Sequence, residues 1–392
     1  MGKRSQRGRF SVLINHLTTH SLTTTEEFTS IKNDWETLFD TCKDTTVFQS
    51  FTWNFTWWKH YKDKAQLSIV IVREKDRLVG IGPFVVRKRL GQPQIEPIGF
   101  DQIAYFGLLV EQHREDVAES IAAEITKFYP RGVIHFPYYA AGNIEIDNFI
   151  GYLISSDWRE SRWIRNISHF VYELDGFSGL ISRKSPRTQS TLRCEQRKLE
   201  KWGNIKVSHY CGVHVDEHLI NEIGAIQKKS WLTRRGQEAI SSSFYSEVLP
   251  VLAQRNHAEA FVLYVNEVGA AYVLNYCSHK SNYSIFTGFD EDYVHLSPGK
   301  YLQSECLKTT LNRGDSAFDF LFGDGDHKRF WSNRTRFVFR AVCYHGFMGW
   351  ILSYFPHRIH GILSKYEFLR NMLRKTRQIR RALVTKFRVR ST

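Results

Sequence analysis

An α/β (α+β) architecture in two similar halves is what the sequence predicts, and three observations carry it. Strand-like alternation and helix-like spacing of apolar residues take turns along the chain. Each half holds a hairpin, about EKDR (74–77) in the first and about Glu267-Val268 in the second. The order strand, helix, hairpin, strand, helix, strand of the first half recurs in outline in the second, as in an α/β chain with local antiparallel pairing.

Element by element, residues 10–15 (FSVLIN) alternate as a strand. From Thr24 to Cys42, Phe28, Ile31, Trp35, Leu38 and Phe39 fall at helical spacing. In TVFQSFTWNFTWWKHY (46–61), Trp53 and Trp57 stand four apart on a short helix. LSIVIVRE (67–74) and LVGIGPFVVRKRL (78–90) form the first hairpin. IAYFGLLV (103–110) reads as a strand, DVAESIAAEITKF (116–128) as a helix with an acidic opening, and VIHFP (133–137) as a strand. SRKSPRTQSTLRCEQRKLEKWG (182–203) begins as a basic, Pro-broken connector and becomes a helix with Gly203 as its C-cap. WLTRRGQ (231–237) and SSSFYSEVLPVLAQR (241–255) surround helical patterns. EAFVLYVN (259–266) and GAAYVLNYCS (269–278) form the second hairpin. NYSIFTGFD (282–290) follows as a strand, PGKYLQSECLKTTLNRG (298–314) as a helix and FDFLFG (318–323) as a strand.

The 392 residues suffice for two domains, and 42% hydrophobic with 14% aromatic content is ample for packed cores. The expected division is 1–175, 176–345 and a tail at 346–392. The formal charge of +14 sits at the ends: four from residues 1–10 and a net ten from Tyr354 to Thr392 account for all of it. The body between them carries no net charge, so no basic groove for nucleic acid is expected. Six cysteines (42, 194, 211, 277, 306 and 343) form no CxxC or CxxH pair. That pattern argues against a zinc site or a disulfide framework and suits a reducing cytoplasm. Lys3 to Arg9 lead into only a short apolar strand, unlike a signal peptide. The apolar run GFMGWILSYF (346–355) is half the roughly 20 residues needed to span a bilayer. Within 358–390, Ile359, Ile362, Leu363, Tyr366, Leu369, Leu373, Ile379 and Leu383 approach one face with Arg and Lys elsewhere. Such a basic amphipathic segment suits peripheral contact with an anionic membrane at its inner face, or packing on the body with its charges solvated.

Two stretches invite a chemical reading. FDFLFGDGDHKRFW (318–331) lacks the alternating ligands and terminal Glu of an EF-hand, and neither GxxxxGK[ST] nor GxGxxG occurs in it. It describes a strand turning sharply into a short helix, with Asp324 and Asp326 either capping that helix or serving a site. HLSPGKYLQ (295–303) places Ser297 at an N-cap, Pro298 at the first helical position and Gly299 behind it. Free N–H groups and the positive end of a helix dipole suit a diphosphate there. Lys300 in the first turn opposes that dipole unless an anion offsets it. The alternative is an ordinary capped helix with a solvated lysine.

The ordered set VFQSFTWNFTWW, RLVGIGPFVV, FTGFDEDY with SPGKYL, and DFLFGDGDHKRFW resembles the CelD/BcsL-type acetyltransferases of the GNAT superfamily. The matching positions are Phe48, Ser50 and Trp53; Gly80 and Pro83; Gly288, Asp290, Tyr293, Pro298 and Gly299; and Asp319, Gly323, Asp324, Lys328 and Trp331. Departures are His327, where that family more often has Tyr, and the lack of a Q/RxxGxG/A loop. The resemblance implies tandem GNAT-like domains, each a mixed, mostly antiparallel sheet flanked by helices, with the working site in the second. It implies acetyl-CoA as co-substrate, its pantetheine arm in a gap beside NYSIFTGF and its diphosphate on SPGK. Phe286, Gly288, Ser297, Gly299, Lys300 and Tyr301 are then the donor-binding candidates, and no metal is involved. The acceptor would be a small molecule or saccharide, such as an envelope-polysaccharide precursor.

Direct acyl transfer needs a base for the nucleophile, a donor to the oxyanion and a proton for the leaving thiolate. Asp290, Asp324 and His327 are the candidate bases, the last two sharing a turn, and Tyr283, Tyr293 and Tyr301 the candidate thiolate donors. Lys328 and Trp331 would border the acceptor, and Trp53 and Trp57 would stack on a sugar ring unless they are core. Two other classes fit a duplicated fold: a FemABX-like transferase using aminoacyl-tRNA, and a binding module without catalysis.

Overall fold

In the computed structural model, residues 16–172, 175–230, 240 and 242–346 are described. The expected strand at 10–15, the segment WLTRRGQ and the basic tail from 347 onward lie outside them.

The first half runs β1 (Leu17–Leu22), α1 (Thr25–Ser30), α2 (Lys32–Thr41), α3 (Phe51–Tyr61), β2 (Gln66–Glu74), β3 (Arg77–Arg89), β4 (Gln92–Pro97), β5 (Leu109–Val110), α4 (Glu115–Phe128), β6 (Val133–Ala140), α5 (Ile144–Ser155) and β7 (Arg159–Tyr172). The second runs α6 (Gly176–Ser182), α7 (Pro186–Trp202), β8 (Ile205–Cys211), α8 (Glu217–Lys228), α9 (Ser243–Gln254), β9 (Ala258–Val265), β10 (Val268–Ser278), β11 (Ser281–Phe289), α10 (Pro298–Asn312), β12 (Ala317–Phe322), α11 (Asp326–Trp331) and β13 (Arg334–Tyr344).

Local chemistry sets many of these boundaries. Thr24 and Glu27 form a capping box at α1. The helix expected over 24–42 breaks at Ile31, which ends α1 and opens α2. Ser50 caps α3 by accepting from the Trp53 N–H, and Ser185 with Pro186 opens α7. Gly203 follows α7 in extended backbone, so it is not the left-handed cap that glycine usually supplies. Asn266 and Glu267, both at positive φ, turn the β9–β10 hairpin as a type I′ turn requires.

All thirteen strands form one mixed sheet in the order β1-β2-β3-β4-β6-β13-β7-β12-β11-β10-β9-β8, with β5 pairing β3 off that path. Each half contributes four antiparallel strands, a crossover helix (α4 or α10) and a strand parallel to the fourth. The sheet does not break at the expected boundary near residue 175. The last strand of the second half, β13, lies between β6 and β7, and the last strand of the first half, β7, lies between β12 and β13.

Each parallel pair is brief. β4 and β6 pair only at Gln94/Val133 and Ile95/Ile134; β11 and β12 pair only at Ser281/Ala317, Asn282/Phe318 and Tyr283/Asp319. Beyond those positions the strands part, and the two halves treat the resulting gaps differently. In the first, residues 98–108 fill the gap. Phe106 donates its N–H to Tyr138 O at 2.7 Å, and Ile103, Ala104, Tyr105, Phe106 and Leu108 are buried. The strand expected over 103–110 is therefore a plug, with only Leu109–Val110 in the sheet. In the second half the connection from β11 to α10 is short and leaves its gap open.

Candidate active site

Why β11 and β12 part can be read from the stretch FDFLFGDGDHKRFW. Asp319 is buried, and its carboxylate accepts from Ser168 Oγ at 2.7 Å, Tyr105 Oη at 3.0 Å, Arg336, and the Leu321 N–H two residues on at 2.7 Å. That last bond bends the strand, and Leu321 takes a left-handed φ of 57°. Lys328 then clamps the bend, donating from Nζ to the carbonyls of Phe320 (2.5 Å) and Phe322. Burial lowers its pKa to about 8, against the opposing pull of Asp319. Past the bend β12 resumes pairing with β7 at Phe322/Ser168, so the edge of β11 from Ser284 to Phe289 has no strand partner on that side among the described residues.

A cavity of about 520 Å³ opens at this place. Tyr272 and Val273 of β10, Thr287–Phe289 of β11, the first turns of α10 (Ser297–Lys300 and Gln303) and Asp326, His327, Phe330 and Trp331 of α11 line it. Two buried polar groups on its wall have no hydrogen-bond partner among the described residues: Tyr272 Oη, on a residue 1% exposed, and Gln303 Nε2, on one 5% exposed. Burial pushes the Tyr272 phenol well above its usual range, so it stays protonated. Gly288 stands opposite Tyr272 in the register, and a Cβ there would lie 2.7 Å from the ring. Only glycine fits against the phenol at this position.

Several expected site residues meet here. Gly288, Ser297, Gly299, Lys300, His327 and Trp331 all line the cavity. Trp331 is 1% exposed and forms a wall. His327 remains solvent-accessible at one side; desolvation on the other, then the Lys328 charge, lowers its pKa, so the ring is neutral at pH 7.

The helix start differs from expectation in detail. Ser297 occupies the N-cap position in left-handed backbone (φ 54°), and its side chain makes no cap. Its carbonyl accepts from both the Lys300 and Tyr301 N–H groups, at 3.1 and 3.3 Å. Pro298 has no N–H, so Gly299 carries the first-turn amide left without an acceptor among the described residues. The anion that offsets Lys300 is already present: Nζ lies 2.8 Å from Glu195 Oε2 of α7 and 5.0 Å from the Phe330 ring centroid.

Other expectations are corrected by burial or by partners. Trp53 and Trp57, 0% and 1% exposed, are core rather than a sugar platform. Trp53 packs edge-on to Phe48, Phe244 and Tyr276, and Trp57 donates to Asp101 at 3.1 Å. Phe286 points into the core against Tyr245. Tyr301 lines a neighbouring groove between α6, α7 and α10, and Tyr293 packs on a hydrophobic cluster that includes Leu296, Leu302 and Trp331. Tyr283 faces a different cavity at the seam of the halves, with Asp319 and Arg336, and burial pushes it up to about 12. Asp290 is buried as the cap of the turn 291–296 and holds Lys229 at 2.7 Å. Asp324 pairs not with His327 but with Arg329 and with His169 of β7 at 2.9 Å, and Arg329 above all holds its carboxyl below the usual range. Neither Asp324 nor Asp326 caps α11; Gly325 holds that position. Lys328, bound to carbonyls, is a strut rather than a contact for an acceptor.

Sequence reasoning missed Tyr272 and Gln303. Their signals were faint: a tyrosine inside the buried run GAAYVLNY, and a glutamine one turn beyond Gly299 on α10. Among the described residues, no cluster of His, Cys, Asp or Glu could hold a metal ion, and no helix is long and apolar enough to cross a membrane. The cysteines are all free.

Comparison with known proteins bears on the fold. Residues 186–329, less than half of the chain, match the family described as acetyltransferase (GNAT) domain. The structure is similar to that of FemX, at 12% identity and a TM-score of 0.56, over 82% of this chain and 96% of that one. The fold is a large mixed α/β sheet flanked by helices, and the GNAT-domain match falls within its second half. Weaker similarities include a conserved protein of unknown function from Bacteroides thetaiotaomicron (10% identity, TM-score 0.49, covering 83% and 100%). Another is a tandem GNAT protein from the clavulanic acid biosynthesis pathway (11%, 0.43, covering 83% and 98%). No curated protein matches the sequence.

Proposed function

We propose that this tandem GNAT fold is an acyltransferase that takes its acyl group from acetyl-CoA or a related thioester, by direct transfer to an amine or hydroxyl. The observation that carries the reading is the open parting of β11 and β12, beside the start of α10, when the matching gap of the first half is plugged. The residues present suit such a donor: an unpaired strand edge and two buried donors for an amide-bearing arm, and Gly299 N–H with Lys300 for a diphosphate. When bound, the thioester supplies the activated acyl carbon. His327, neutral at pH 7, is the base we assign from the three candidates, because it alone of them lines the cleft. A saccharide or other small amine or hydroxyl compound is the proposed acceptor, in keeping with the resemblance to CelD/BcsL-type enzymes.

Calorimetric titration with acetyl-CoA tests the reading. Saturable binding at one site per chain is expected, because only the second half has an open gap; absence of binding would refute it. The likeness to FemX in fold supports a second reading, an aminoacyl-tRNA donor. Binding of charged tRNA in preference to acetyl-CoA would establish it instead.

A further inference from the structure

Two hydrogen-bond donors in one wall of the cleft have no acceptor among the described residues. Tyr272 Oη and Gln303 Nε2 come from different elements, β10 and α10, and each belongs to a residue more than nine-tenths buried. Leaving a buried polar group unsatisfied is costly, and native proteins rarely tolerate it without a reason. Val273, Phe289, Val294, Phe330 and Trp331 supply apolar wall around the two donors, and the acceptor side chains that also line the cavity, Asp326 and His327 among them, bond neither group. Gly288 lets β11 lie directly against the phenol, since a side chain there would collide with the ring.

We propose that Tyr272 and Gln303 are positioning residues for the donor, bonding carbonyl oxygens of an acyl-thioester arm, with Tyr272 taking the acyl carbonyl itself. This rests on the thioester-donor reading and goes further by naming the atoms the protein bonds. Both orphans are donors, so the complementary ligand presents acceptors within an apolar sleeve. Carbonyl groups spaced along a flexible chain have that character; a hydrocarbon or a cation does not. Tyr272 gives up no proton. Its hydrogen bond tightens as charge gathers on the acyl oxygen during attack; the acceptor's nitrogen or oxygen gives its proton to His327 as it bonds the acyl carbon, and the carbon–sulfur bond breaks with its electron pair on sulfur, CoA leaving as the thiolate.

The test uses the full chain and a pair of ligands that differ at one group: acetyl-CoA, and S-ethyl-CoA, which lacks the carbonyl. Wild type should bind acetyl-CoA about 3–10-fold more tightly than the thioether, the effect of one neutral hydrogen bond. Tyr272→Phe should abolish that difference, bind both ligands as wild type binds the thioether, and lower kcat with little change in its pH profile. Because the hydroxyl is unpartnered in the free protein, Tyr272→Phe should leave the ligand-free Tm unchanged or raise it. Gln303→Met should weaken both ligands equally. A Tyr272→Phe protein that keeps the acetyl-to-ethyl ratio of wild type, or that is less stable when free, overturns the assignment while the donor reading stands. Failure of wild type to bind either CoA compound overturns the donor reading and the assignment with it.

Discussion

Replacing Lys300 by Met probes the mouth of the cleft, where charge rather than shape should govern the donor. In the free protein its ammonium is 2.8 Å from Glu195 Oε2, and both side chains are about one-third exposed. A unit charge about 4 Å from a phosphate oxygen is worth about 4 kcal/mol at an effective dielectric of 20. Solvent access and physiological salt reduce that to about 1–2 kcal/mol, or about 5- to 30-fold in Kd. Glu195→Gln should act in the opposite sense, since it removes a carboxylate from beside the diphosphate and frees the lysine; a gain of about 2- to 5-fold is expected. The assay is calorimetry with CoA and with S-acetylpantetheine, which has the arm without the phosphates. Lys300→Met should weaken CoA alone, and by less at high salt. Equal losses for the two ligands, or no loss for either, would refute a diphosphate at the start of α10.

Three further outcomes follow from named contacts. Since desolvation lowers the His327 pKa below its ordinary 6.5, kcat/KM should fall on the acid side with a midpoint below that value; His327→Gln should abolish that limb, and a limb unchanged in the variant would remove His327 as base. Glu259 is buried, which alone would raise its pKa, but hydrogen bonds from His209 and Arg313 outweigh burial and hold it at about 2. Its contribution is thus complete above the unfolded value of 4.5 and lost as pH falls from there toward 2. It is on the order of 3 kcal/mol at most. Glu259→Gln should flatten Tm against pH in that window, and a profile as steep as wild type would contradict the account. Lys328→Met should strip a donor from the carbonyls of Phe320 and Phe322, costing about 1–3 kcal/mol and loosening the bend. A drop in Tm with weaker acetyl-CoA binding is expected, and a variant as stable as wild type would show that the clamp is idle.

The hairpins, the crossover helices and the strands of the second half were legible because local patterns specify them. β9 and β10 are nearly continuous apolar runs joined by a tight turn, β11 alternates buried and half-buried residues, and α4 repeats its apolar face every three to four residues. Long-range pairings were not legible. β7 (RESRWIRNISHFVY) and β13 (RTRFVFRAVCY) are rich in arginine and become strands at the middle of the sheet through each other, a partnership between segments about 170 residues apart. IAYFGLLV has the composition of a strand, but its burial comes from filling a gap, a use that composition cannot distinguish from pairing. At the site, Gly288, Ser297, Gly299 and Lys300 were foreseen from the motif resemblance and from helix-end physics. His327 and Trp331 also line the cavity, whereas others are taken out of reach by burial: Trp53, Phe286 and Asp290 have less than a tenth of their surface exposed. Tyr272 and Gln303 matter through what they lack, and a missing partner leaves no trace in a string of letters.

The interleaving of β7 and β13 dictates how this protein can be made. A ribosome delivers β6 and β7 long before β13 exists, so the middle of the first half must wait, its hydrogen-bonding edges bare, until residue 344 has emerged. Such edges recruit other nascent chains. A clone ending before Arg334 should therefore yield aggregate rather than a smaller working protein, and evolution could not have parted the halves once the strands had crossed.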